Sequence, residues 1–110
     1  MPADRIIADY EELVMTGQEI LEFLQEKKSY LKNEFGVLSI GLFGSYVKGT
    51  QGPKSDVDLL VELKEPRFDY LAGLQLYLED NLGKPIELVR KRPSLNERFL
   101  KRIKTRIHYA

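Results

Sequence analysis

Apolar positions along the chain recur with two periods, and the switches between them divide it into elements. Ile6, Ile7, Tyr10, Leu13 and Val14 stand at helical spacing, which predicts a short amphipathic helix over residues 4–14. Thr16 and Glu19 form a capping-box pattern. A longer helix should follow, burying Ile20, Leu24, Leu31 and Phe35, with Gly36 as its terminator. Residues 37–43, VLSIGLF, read as a buried strand, and residues 57–63, VDLLVEL, as a second. Between them, residues 44–55 hold three glycines and a proline, which predicts a loop or a short helical turn. Residues 68–82 read as a helix that points Phe68, Leu71, Leu74, Leu78 and Leu82 inward, closed by Gly83 and Pro85. Residues 85–89, PIELV, give a third short strand. Ser94 and Glu97 open a last helix whose apolar face carries Leu95, Phe99, Ile103 and Ile107. This order predicts an α/β or α+β domain, a small mixed sheet flanked by helices.

Composition narrows the class. A chain of 110 residues fits one domain with a modest core. Hydrophobic residues make up 43% and charged residues 31%, the balance of a folded protein and not of a disordered one. Lys plus Arg and Asp plus Glu both count 17, so the formal net charge is zero. That argues against bulk nucleic-acid binding, which needs a strong positive field. The absence of cysteine excludes disulfides and thiolate metal sites. No repeat, signal peptide or membrane-length apolar run is visible, so the expected location is the cytoplasm.

The stretch GLFGSYVKGTQGPKSDVDLLVEL, residues 41–63, concentrates the candidate chemistry. On a strand, Asp56 and Asp58 project to one side and Val57 and Leu59 to the other. Two carboxylates on one face repel unless a cation lies between them, and hard oxygen ligands suit Mg²⁺ together with substrate phosphates. Glycine at Gly44 lets a polyanion approach the backbone, Ser45 adds a hydroxyl, and Lys48 adds a positive charge. If the two strands pair antiparallel, Gly44-Ser45 and the aspartates meet at one end of the sheet. Taken singly, Gly44-Ser45 also fits a plain turn, and Asp56 a solvated strand entry. Asp58 is harder to dismiss, because a charge inside an apolar strand is costly unless paired or metal-bound.

Gly44-Ser45, ten residues, then Asp56-Val57-Asp58 is similar to the signature of the DNA polymerase β-type nucleotidyltransferase superfamily. The flanks GVLSIGLFGSYVKG and SDVDLLVEL resemble its minimal nucleotidyltransferase group, whose members are often antitoxins. The resemblance runs from about Thr16 to the end of the chain. It implies a nucleotidyltransferase domain over residues 16–110 behind an N-terminal helical extension, residues 1–15. It also implies that Gly44 and Ser45 hold the triphosphate of ATP and that Asp56 and Asp58 bind two Mg²⁺ ions. The candidate third carboxylate, for metal binding and activation of the attacking hydroxyl, is Glu87, where relatives more often carry aspartate. The extra methylene puts turnover in question, since a misplacement of about 1 Å can cost about a hundredfold in rate. Lys48 stands where many relatives have arginine and is expected to contact phosphate in preference to lying solvated at the surface, and Ser55, which precedes the first aspartate as in relatives, is expected to join the nucleotide-binding set by orienting the loop. The implied activity is transfer of AMP to a hydroxyl of a HEPN-type toxin, with a tyrosine as acceptor. A single domain of this length is expected to leave acceptor recognition to the acceptor, in a homo- or hetero-oligomer. The alternative, which Glu87 favours, is a nucleotide-binding module that neutralises its partner by occlusion.

Other features point away from the site. Gly44 and Gly49 have Walker A spacing, but Thr50 stands where that motif needs lysine. His108 has no ligand partner at metal spacing and is expected at the surface. Arg98, Lys101, Arg102, Lys104 and Arg106 on the last helix are read as a solvated face in preference to a docking surface for an acidic partner. Glu62 shares the side of Asp56 and Asp58 but lies farther along the strand. Tyr46 fits either loop shaping or packing.

Overall fold

Strands β1 (Val37–Phe43) and β2 (Val57–Leu63) are apolar on both alternations because helices cover both faces of their sheet. The structure is a computed structural model, and it describes residues 15–93, 95–104 and 106–110. The helix expected over residues 4–14 lies outside the described residues. Helices α1 (Gly17–Glu26) and α2 (Lys28–Phe35) precede β1. A helical turn, α3 (Ser45–Lys48), follows it. Helix α4 (Phe68–Leu82) crosses from β2 to β3 (Ile86–Arg90), and α5 (Glu97–Lys104) leads to a two-residue strand, β4 (His108–Tyr109). The strand order is β3-β2-β1-β4, antiparallel except for the parallel pair β2 and β3. The mixed sheet expected from the sequence is thus present, with one strand more.

One face of the sheet holds most of the core. Ile40, Leu42, Val57, Leu59, Val61 and Ile86 pack there against Ile20, Leu24 and Leu31 of the first two helices and Leu74, Leu78 and Leu82 of α4. Each fully buried leucine contributes about 1.5–3 kcal/mol by transfer alone. The opposite face carries Phe43 and Leu60 under Ile103 of α5, with Phe99 edge-on to Phe43 at 5.7 Å between ring centroids. Helix α5 therefore sits on the face toward which Asp58 alternates.

Three expectations need correction. The first helix is broken at Lys27, whose ψ of 6° ends α1 before α2 resumes. The hydrogen bonds from Lys27 N–H to Phe23 O and from Leu31 N–H to Lys27 O bridge the joint, so no glycine or proline marks it. Phe68 does not point inward but is 84% exposed, at the first residue of α4. There Arg67 pairs with Asp69 and lies over the Tyr70 ring. Helix α5 begins at Glu97, where the Asn96 side chain accepts from Arg98 N–H at 2.8 Å and supplies a cap, while Ser94, expected to open the helix, lies outside the described residues. Ile107 leaves the helix and packs on Gly41, where a Cβ would come within 2.7 Å of it. The two residues after it pair with Leu42 and Gly41 as β4. His108, exposed there, matches its expected surface position.

Candidate active site

The parallel register of β2 and β3 sets Asp58 beside Glu87, and the antiparallel register of β1 sets it opposite Phe43, so Gly44 is the next residue to pass it. Gly44 has φ 79° and ψ −148°, a backbone that glycine adopts and other residues resist. A Cβ at this position would land on the Asp58 carboxylate. Gly44, just past β1, and Asp58, the second residue of β2, thus meet at the end of the sheet where β1 runs out and β2 begins, while Asp56 stands one residue ahead of the strand and not within it.

Gly44 also caps α3. Its carbonyl accepts from Val47 and Lys48 N–H, both at 3.1 Å, and winds the chain into a helical turn at Ser45. The loop beyond is tied down from several sides. Ser55 Oγ accepts from Gly52 N–H at 2.8 Å, and Ser55 N–H returns a bond to Gly52 O. Ser55 Oγ thereby shapes the loop that leads to Asp56. The buried Lys84 donates from Nζ to Pro53 O, and Val57 N–H donates to Pro85 O. These bonds hold Asp56 and Asp58 against the start of β3, and so against Glu87.

Electrostatics records the crowding. Burial pushes the Asp58 carboxyl up to about 6, helped by a hydrogen bond with Glu87 and by the charges of Glu87 and Asp56. Asp58, with Asp56 and Glu87 beside it, offers a set of hard oxygen donors that would suit a cation such as Mg²⁺. Among the described residues, no three acidic or histidine side chains are arranged to hold an ion on their own. Mg²⁺ does not require that, since it commonly keeps waters and takes substrate phosphates.

The remaining sequence candidates fall at varied distances from this point. Lys48 is exposed at the end of α3, on a cleft of about 190 Å³ shared with Gly44. Glu62 accepts from Ser39 Oγ farther along the sheet. Tyr46 is 4% exposed and belongs to the main core, its hydroxyl buried without a hydrogen-bond partner among the described residues. Burial, reinforced by the Asp56 charge, holds its phenol above the usual tyrosine range. The sequence reading missed Phe99, Arg102 and Arg106, which line the Lys48 cleft. The only signal for them was the basic run on the last helix, which composition alone reads as solvated.

This fold and this turn define a nucleotide-transferring class, and residues 18–109 match the Nucleotidyltransferase domain family, to which the chain belongs. Among individual relatives, it is 43% identical over 79 residues to the protein adenylyltransferase MntA of Thermococcus cleftensis, covering 71% of this chain and 80% of that protein. A solved structure provisionally described as a minimal nucleotidyltransferase superposes with a TM-score of 0.63 at 30% identity, over 79% of this chain and 92% of that one. A toxin–antitoxin crystal structure with AMP-PNP superposes with a TM-score of 0.62 at 26% identity, over 76% of this chain and 69% of that one.

Proposed function

We propose that this chain transfers AMP from ATP to a hydroxyl, that of a tyrosine, on a HEPN-type toxin, and so acts as the antitoxin of a pair. One observation carries the reading: the Gly44 backbone lies against the Asp58 carboxylate, so phosphates on the turn and a cation on the acidic cluster would share one site. The adenylyltransferase name of the Thermococcus cleftensis relative and the AMP-PNP in the similar toxin–antitoxin structure support it.

In this reading Gly44 and Ser45 bind the phosphates through the turn that opens α3. Asp56, Asp58 and Glu87 would hold Mg²⁺. When bound, the metal would neutralise phosphate charge and steady the attacking and leaving oxygens of an in-line displacement. The acceptor oxygen bonds to the α-phosphorus, the bond from that phosphorus to the bridging oxygen breaks, and pyrophosphate leaves. The acceptor's proton passes to the Asp58–Glu87 carboxylate pair. Ser55 and Lys84 hold the loop that presents Asp56. A protein acceptor brings its own binding surface, which makes the working form a hetero-oligomer. The need for ATP sets it in the cytoplasm. Among the described residues, no helix is long and apolar enough to cross a membrane.

A second reading, a nucleotide-binding module that occludes its partner without turnover, draws on the absence of a preformed three-carboxylate metal cage among the described residues. Against it, the parallel register sets Glu87 directly beside Asp58 on the neighbouring strand. Intact-mass measurement of the toxin after incubation with this chain, ATP and Mg²⁺ decides between them. Added AMP mass with wild type and none with Asp58→Asn is expected. No mass shift with wild type, or equal labelling by both, would sink the enzyme reading. Glu87→Asp should then change the labelling rate by less than about tenfold, because the register already sets Glu87 beside Asp58. A rise of about a hundredfold would mean that the natural glutamate is misplaced.

A further inference from the structure

The cleft beside Gly44 is not explained by the acidic cluster. It is lined by Phe43, Gly44 and Lys48 on one wall and by Phe99, Arg102 and Arg106 on the other, the second wall coming from α5 and the turn after it. Arg102 lies 5.9 Å from the centre of the Phe99 ring, which braces its stem over the cleft. Neither Lys48, Arg102 nor Arg106 has a carboxylate partner among the described residues. Three uncompensated cations thus face one small space in a chain whose net charge is zero.

Their place in the sheet gives that space a direction. Glu87 stands on β3, Asp58 on β2 and Gly44 at the end of β1, in that spatial order. Neighbouring strands lie about 4.8 Å apart, so the row from Glu87 to Gly44 spans about 10 Å. The basic cleft opens beside Gly44, under α5 on the sheet face toward which Asp58 alternates. One end is therefore acidic and the other cationic, with the phosphate-approachable glycine between them.

We infer that Arg102 and Arg106, together with Lys48, bind the β- and γ-phosphates of ATP and then the pyrophosphate that leaves. This rests on the nucleotidyltransfer reading and deepens it by fixing the polarity of the site. The acceptor hydroxyl arrives from the Glu87 side, and the leaving group departs into the cleft under α5. In-line displacement requires those two oxygens on opposite sides of the α-phosphorus, and Gly44 adjoins the acidic cluster and the basic cleft alike. Guanidinium groups suit this work because their planar fork matches phosphate oxygens in pairs. The cleft therefore reads the length of the phosphate chain, a distinction that Gly44 and Ser45 alone do not make.

The test is calorimetric titration of the purified chain with ATP and, separately, with inorganic pyrophosphate, both with Mg²⁺. Wild type is compared with the Arg102→Ala/Arg106→Ala double variant, Arg102→Lys and Gly44→Ala. Both arginines are exposed, so the double variant should melt with wild type. Loss of two charge-assisted contacts should weaken ATP and pyrophosphate binding by at least about tenfold, and Arg102→Lys should recover part of it. Undiminished binding of both ligands by the double variant, while Gly44→Ala loses ATP, would overturn this inference and leave the transfer reading intact. Failure of wild type to bind ATP at all would overturn both.

Discussion

Asparagine in place of Asp58 removes a charge that the fold itself opposes, and the protein without metal should become more stable for it. The Asp58 carboxyl moves from 3.8 to about 6 on folding. A carboxylate whose pKa is raised holds its proton more tightly in the folded state. It stabilises the fold below pH 4, and that contribution is lost as pH rises through about 6. The shift of 6 − 3.8, about 2 units, is worth about 3 kcal/mol at 1.36 kcal/mol per unit. Asp58 is only half-buried and its acidic neighbours are in water, so screening brings this to about 1 kcal/mol. For a domain of this size that is about 4 °C in melting temperature. Thermal melts of wild type and Asp58→Asn, without divalent ions and at low salt, should coincide near pH 4. By pH 7.5 the variant should melt about 4 °C higher. Millimolar Mg²⁺ should raise wild type alone and close the gap. A pH-independent difference, or a variant that melts lower at pH 7.5, would refute the account of the carboxylate cluster. The comparison also separates roles, because the same substitution should abolish AMP transfer.

Two further changes probe the supports of the site. Gly44→Ala forces a side chain into a positive-φ position and onto the Asp58 carboxylate, so unfolding titrations should show a loss of about 1–3 kcal/mol, with nucleotide binding lost as well. Asn96→Ala removes the cap of α5 and should cost about 1 kcal/mol in the same titration. If α5 forms the far wall of the phosphate cleft, that variant should also weaken ATP binding more than AMP binding.

Legibility in the sequence followed the range of the interactions. β1, β2 and α4 were readable because burial of whole faces leaves an apolar pattern and glycines punctuate the ends. The convergence of Gly44 with Asp58 was readable because an antiparallel hairpin returns the chain to its starting edge. The break at Lys27 was hidden, since its hydrogen bonds continue across the joint and Ile20, Leu24 and Leu31 keep a helical period through it. β4 was hidden because two residues carry no periodicity and its pairing depends on Gly41, far away in sequence. The cap of α5 at Asn96 was hidden because Asn is as common in loops as at helix starts, and only the folded chain brings its side chain to Arg98 N–H. Arg102 and Arg106 looked like solvated charges because their partner in the cleft is a turn more than fifty residues earlier.

The parallel pairing of β2 with β3 also limits how the gene for such a chain can vary. Because Ile86 and Leu88 flank Glu87, shifting β3 by a single step would present a hydrocarbon to Asp58 and turn the carboxylate away from it. The connection through Gly83, Lys84 and Pro85 sets that step. Changes of letter there are survivable, whereas a codon gained or lost would erase the chemistry while leaving most of the architecture standing.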